Sequence, residues 1–301
     1  MKTRIGLAAV LAVIPASAAS GGATAPDVFR GSGAIVFSCT GCPQDLNGTE
    51  LFSVSASGRG FRWLQTRLRP LSPGSPRWSP DGRSVAFSAQ RSIWRLAVKP
   101  QGQGRQLTGG RVRDPAWSPD GRTIVFARDR TLSTMRAATG TRLRKLNLWR
   151  RGSFGSPDWS PDGRRIVFHH ATAGFYVVRA DGRGARRLKA PGVCGRFPRW
   201  SPDGKQIAFI GACNQAVMVV RPNGKGLRVI VRPPNLDVDA NAAWSPDGRH
   251  LLFVAGRAIS REFGRSELWV VSLNGRVVRR IEIPELPLDV PYGFDGVDWT
   301  R

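Results

Sequence analysis

Three histidines and four cysteines are all that 301 residues offer of the usual metal-binding side chains. His169 and His170 are adjacent, and His250 adjoins a turn motif. A metal centre built from several imidazoles would need all three, including the one beside a structural turn. Neighbouring side chains on one loop project differently, so His169 and His170 make a poor site unaided. No Gly-x-Ser-x-Gly elbow occurs, which excludes the nucleophile turn of α/β-hydrolases. Beyond the first twenty residues no apolar run is long enough to cross a bilayer. Acidic residues are scarce: 21 Asp and Glu face 46 Lys and Arg, a net charge of +25. The sequence therefore predicts no catalytic residues, no metal and no cofactor.

What the chain has in quantity is one motif. Trp-Ser-Pro-Asp-Gly followed by a basic residue begins at Trp78, Trp117, Trp159, Trp200 and Trp244. The spacings are 39, 42, 41 and 44 residues. A Trp/Asp signature with a period near 40–45 residues marks the blade of a β-propeller. Pro presets φ for the turn, Asp bonds to nearby backbone N–H groups, and Gly supplies positive φ at the exit. Apolar strands flank each turn, as in Ser84-Val85-Ala86-Phe87, so the unit reads as a tight hairpin. Five Asp residues at fixed offsets are read as turn formers, not as a metal ring or acid/base set.

Each repeat continues with a second strand (Ile124-Val125-Phe126, Ile166-Val167-Phe168), a third (Ser92-Ile93-Trp94, Glu267-Leu268-Trp269), a Gly-bearing turn and a basic last strand such as Arg186-Arg187-Leu188. Thr131-Leu132-Ser133-Thr134 is a weaker third strand. Ala34-Ile35-Val36-Phe37 reads as a second strand with no Trp strand before it, and Gly296-Val297-Asp298-Trp299-Thr300 as a first strand with nothing after it. Joined, they complete a blade. The predicted fold is all-β: a six-bladed β-propeller whose C-terminal first strand joins three N-terminal strands, leaving no free sheet edge.

These motifs resemble the WD40-like propeller repeats of the TolB family, across residues 33–301. That family carries an α/β domain ahead of its propeller and partners the outer-membrane lipoprotein Pal. Only a short segment precedes the first strand here, so the partnership with Pal is not carried over.

Residues 1–19 read as a signal peptide: Lys2 and Arg4, an apolar stretch from Ile5 to Ile14, and Ala16-Ser17-Ala18 before the cut. Residues 20–32 read as a flexible leader. The alternative for the first segment is a retained anchor, but its apolar run is short for a span. An exported chain, periplasmic or extracellular, is expected to form disulfides. Cys194 and Cys213 flank the Trp200 hairpin about a centre between Asp203 and Gly204 and are one candidate pair. Cys39 and Cys42, in Cys-Thr-Gly-Cys, are a second, local one. A redox pair or half a zinc site is the alternative for that spacing. Excess Arg favours polyanions, although Arg recurs in every repeat instead of clustering. No specific nucleic acid is expected of an exported protein.

The blade plan sorts the connections into two faces. Ser-Pro-Asp-Gly and Asp/Asn-Gly turns fall on one, short and uniform. Inter-blade connections and second-to-third-strand loops fall on the other, long and varied, where function on a rigid scaffold concentrates. The candidate contacts there are Arg113, Asp114, Arg150, Arg151, Arg196, Asp237, Asp239, Asn241, Tyr292 and Asp295. Asp237, Asp239 and Asn241 have an oxygen-rich spacing, but no following Gly and Glu complete a calcium loop. The expected function is a monomeric, non-enzymatic binding or scaffold propeller of the cell envelope, engaging a protein or an anionic glycan. The alternative is a metal-dependent lyase or hydrolase of an anionic polysaccharide.

Overall fold

The computed structural model describes residues 33–42, 49–64, 73–98, 101–148, 152–189, 195–211, 215–233, 237–238, 240–258, 264–283, 286 and 293–300. Among them there is no helix, and the strands form six small antiparallel sheets. Blade 1 has the spatial order Gly293–Thr300, Ala34–Thr40, Thr49–Ser55, Arg62–Trp63. Thr300 pairs with Ala34 and Gly293 with Thr40, so the first and last of the described strands share one sheet and close the ring. Blades 2 to 5 each follow the chain outward from their Trp strands: Gly74–Trp78, Val112–Trp117, Phe154–Trp159 and Gly195–Trp200. In blade 6 the first strand is split into Asp237–Val238 and Ala243–Trp244, both paired with His250–Ala258.

The turn motif closes on itself in every copy. Ser79 Oγ donates to Asp81 Oδ1 at 2.5 Å, and Asp81 Oδ1 accepts from Arg83 N at 3.1 Å. Ser79 Oγ also accepts from Ser84 N at 2.9 Å. The same three bonds recur at Ser118, Ser160, Ser201 and Ser245. Each Gly takes a φ between 64° and 69°, which favours a residue without Cβ. The turns also stack around the ring: a Cβ on Gly204 would meet Pro161 at 3.2 Å, and one on Gly163 would meet Pro119 at 3.5 Å.

The core lies between blades. One Phe per second strand is fully buried: Phe37, Phe87, Phe126, Phe168, Phe209 and Phe253. Phe126 packs against Ala86, Ile93 and Leu107 of blade 2, and Phe168 against Ala116 and Val125 of blade 3. Alternation along each strand sends one side chain to each neighbouring blade. Thr131–Arg136, weak as a sequence match, is a regular six-residue strand in register with Thr123–Arg128. Its Leu132 and Met135 are buried, which supplies what the polar Thr and Ser positions lack.

Candidate functional site

The inner Trp strands line the centre of the ring, and those of blades 2 to 5 are bulged at the same place. Three residues before the Trp, Ser75, Asp114, Ser156 and Phe197 take positive φ of 49–58°, a conformation that is uncommon outside glycine. Tertiary bonds hold it there. Asp114 Oδ1 accepts from Ser75 Oγ of blade 2 at 3.1 Å, and its Oδ2 accepts from Ser156 N of blade 4 at 2.9 Å. One carboxylate therefore stitches three blades.

Around it the long-loop mouth assembles a charged group. Arg113 is about half exposed and lies 3.5 Å from Asp114 Oδ2. Its Nη2 donates to Phe154 O at 2.9 Å and to Ser153 Oγ at 3.3 Å. His169, paired in register with Gly155, sits among His170, Arg196, Asp114 and Arg113. Burial first, and then its cationic neighbours, hold its imidazole below the ordinary range, so it is neutral at neutral pH. Arg196 lies over the Phe197 ring at 5.8 Å. Beside this group a cleft of 410 Å³ is lined by Arg91, Arg111 and Arg113 between blades 2 and 3.

Of the sequence candidates, Arg113, Asp114 and Arg196 come together here, on strand ends instead of loops. Asn241 is placed differently. It is buried, its Nδ2 donates to Val297 O at 2.6 Å, and its Oδ1 accepts from Val297 N at 3.1 Å. Its amide is committed to joining blade 6 to blade 1 and is withdrawn from the mouth. Asp237 and Asp295 lie within strands. Arg150, Arg151, Asp239, Tyr292, Cys194 and Cys213, with residues 1–32, lie outside the described residues. Cys39 and Cys42 form a disulfide, Cα to Cα 5.9 Å, at the loop end of blade 1. Among the described residues no three His, Cys, Asp or Glu groups are placed to hold a metal.

A second constellation lies at the other end of the channel. The residue before each Trp is Asp298, Arg77, Ala116, Asp158, Arg199 and Ala243 from blade 1 to blade 6. The series repeats after three blades. Arg77 Nη2 donates to Asp158 Oδ1 across the channel at 2.6 Å, Nη1 lies 3.5 Å from Asp298 Oδ1, and Nε donates to Pro115 O at 3.4 Å. Arg199 Nη1 stands 3.7 Å from Asp158 Oδ1. Each Asp also accepts the backbone N–H of the Trp in the next blade: Trp78 N to Asp298 and Trp200 N to Asp158, both 2.8 Å. One blade beyond those Trp residues, Trp117 and Trp244 donate their indole N–H groups to Arg77 O and Arg199 O at 3.1 Å. Burial pushes Asp158 up to about 6 and also raises Asp298, against the pull of Arg77. Sequence reasoning passed over these four charges, although each stands directly before the Trp of an inner strand.

No protein-family model matches the chain, and neither does a curated protein. Among solved structures it is similar to TolB from Acinetobacter baumannii at 20% identity, covering 89% of this chain and 66% of that one with a TM-score of 0.72. A chain of a nidogen/laminin complex matches at 11% identity, 89% and 98% coverage and a TM-score of 0.67. An oligogalacturonate lyase in complex with manganese matches at 15% identity, 77% and 70% coverage and a TM-score of 0.53. The chain thus spans just under two thirds of that TolB. These likenesses show the fold: the chain is a TolB-like six-bladed β-propeller.

Proposed function

We propose that this is an exported, non-enzymatic binding propeller of the cell envelope that engages a protein or an anionic glycan through its long-loop face. The observation that carries the reading is the convergence of Arg113, Asp114, His169 and Arg196 from three blades beside the arginine-lined cleft. Rigid strand ends hold these groups, which lowers the ordering cost of binding. With His169 neutral, the group carries two guanidinium charges against one carboxylate. An uronate, or an acidic side chain of a protein, matches that balance. The local disulfide Cys39–Cys42 suits an oxidising compartment, and no helix among the described residues is long and apolar enough to cross a membrane. The likeness to TolB and to a chain of the nidogen/laminin complex supports a partner-binding role.

The test is affinity capture from envelope extract at raised salt, with wild type and an Arg91→Ala, Arg113→Ala, Arg196→Ala triple variant as baits. The expected result is a protein or glycan held by the wild type and lost from the variant. Equal retention by both, or complete release by salt from both, would place binding elsewhere or in bulk charge. Manganese-dependent cleavage of polygalacturonate by the wild type would favour the lyase reading.

A further inference from the structure

The turn face opens into a funnel of 490 Å³ that ends on the buried charges. Its rim is made by prolines of the stacked turns, including Pro80, Pro161 and Pro246, and its wall by indoles such as Trp159 and Trp244. Arg199 lies at its base with its side chain 9% exposed. Arg77 and Arg199 are equivalent under the three-blade repeat, yet their situations differ. Arg77 takes both Asp158 and Asp298 and a backbone carbonyl. Arg199 is left with a single contact at 3.7 Å, and its buried Nε has no acceptor among the described residues. The four-charge set satisfies one arginine at the expense of the other, and a buried guanidinium short of acceptors is costly.

We propose that the turn-face funnel is a binding site for a carboxylate carried on a small apolar body, with Arg199 as the residue that grips it. A carboxylate accepts two parallel N–H bonds from the planar guanidinium fork. Proline and indole walls take the apolar body, and the volume suits a small ligand. A dianion is disfavoured, because Asp158 and Asp298 share the base of the site with Arg77 and Arg199. The same set gives a pH dependence. Asp158 is faced by Arg77 from blade 2, Arg199 from blade 5 and Asp298 from blade 1. When Asp158 takes up a proton near pH 6, Arg199 loses the one anionic contact it has among the described residues and the site gains positive charge. Binding of an ion that stays anionic therefore strengthens as pH falls through that value.

The probe is benzoate, titrated calorimetrically into the full chain, with benzamide as the neutral isostere and inorganic phosphate as the other anion. Benzoate is expected to bind about tenfold or more tightly than benzamide, and more tightly at about pH 5.5 than at about pH 7.5. Arg199→Met is expected to abolish the preference for benzoate. Thr300→Trp, which narrows the wall of the funnel and leaves all four charges in the chain, should abolish binding while keeping a cooperative urea transition like that of the wild type. Equal binding of benzoate and benzamide, phosphate as tight as benzoate, or unchanged binding by Thr300→Trp would each overturn the proposal. If Arg199→Met does not fold, the Thr300→Trp and benzamide comparisons decide it.

Discussion

Ser160 has no exposed surface, and three of its contacts belong to one turn. Its Oγ donates to Asp162 at 2.5 Å, lies 3.0 Å from Arg165 O, and accepts from Arg165 N at 2.9 Å. Ser160→Ala leaves that part-buried N–H without its side-chain acceptor and is expected to cost about 1–2 kcal/mol, read as a shift in the urea midpoint. A second readout follows from the carboxylate. The Ser160 hydroxyl, and then the Arg164 N–H, hold Asp162 below the ordinary carboxylate range. A depressed value in the folded state gives stability that is present above the unfolded pKa and lost as pH falls through the folded one. Ser160→Ala brings the two values together, so the variant should lose less of its remaining stability than wild type on acidification below about pH 4. A parallel loss in both proteins would mean that the hydroxyl does not set the titration.

Strands carry the next level, and Phe126 is representative of six. It is fully buried between Ile93 and Leu107 of blade 2 and the sheet of its own blade 3. Phe126→Ala opens a cavity at an interface that two rigid sheets cannot close, so a loss of about 3–5 kcal/mol is expected from chemical denaturation. A loss below about 1 kcal/mol would mean that the blades collapse onto the gap. This level of the fold was the most legible in the sequence. The Trp-Ser-Pro-Asp-Gly turns, the Phe of each second strand and the closure of Ala34–Thr40 on Gly293–Thr300 all follow local rules repeated several times. The bulge before the Trp in blades 2 to 5 was not legible, since Ser75, Asp114, Ser156 and Phe197 share no residue type that demands positive φ. What holds them is supplied by other blades, as Asp114 does for Ser156. For the same reason Arg113 and Arg196 read as loop residues and are strand ends, while Asn241 reads as a contact and is a clasp.

At the scale of the whole ring the buried charges matter more than the net charge of +25. Arg77 reaches Asp298 of blade 1, Pro115 of blade 3 and Asp158 of blade 4 from its own place in blade 2. Its side chain is 7% exposed, so it works where charge is poorly solvated. Replacing a whole buried set by apolar residues is often neutral, but removing one member leaves an uncompensated charge. Arg77→Met strands two carboxylates that face each other with only Arg199 at 3.7 Å from one of them, and a loss of about 3–5 kcal/mol is expected near neutral pH. The sign of its pH dependence follows from the raised values of both acids. A carboxyl whose folded pKa lies above its unfolded one binds its proton more tightly in the native state, so it favours folding below the folded value and disfavours it above. Loss of Arg77 raises both further. The penalty should therefore shrink as pH falls from about 7.5 to about 5, because protonation removes the unpaired charges. Urea titrations of wild type and variant at those two pH values measure it. A penalty that is the same at both would show that Arg77 holds the blades by packing and by its bond to Pro115, and not by balancing Asp158 and Asp298.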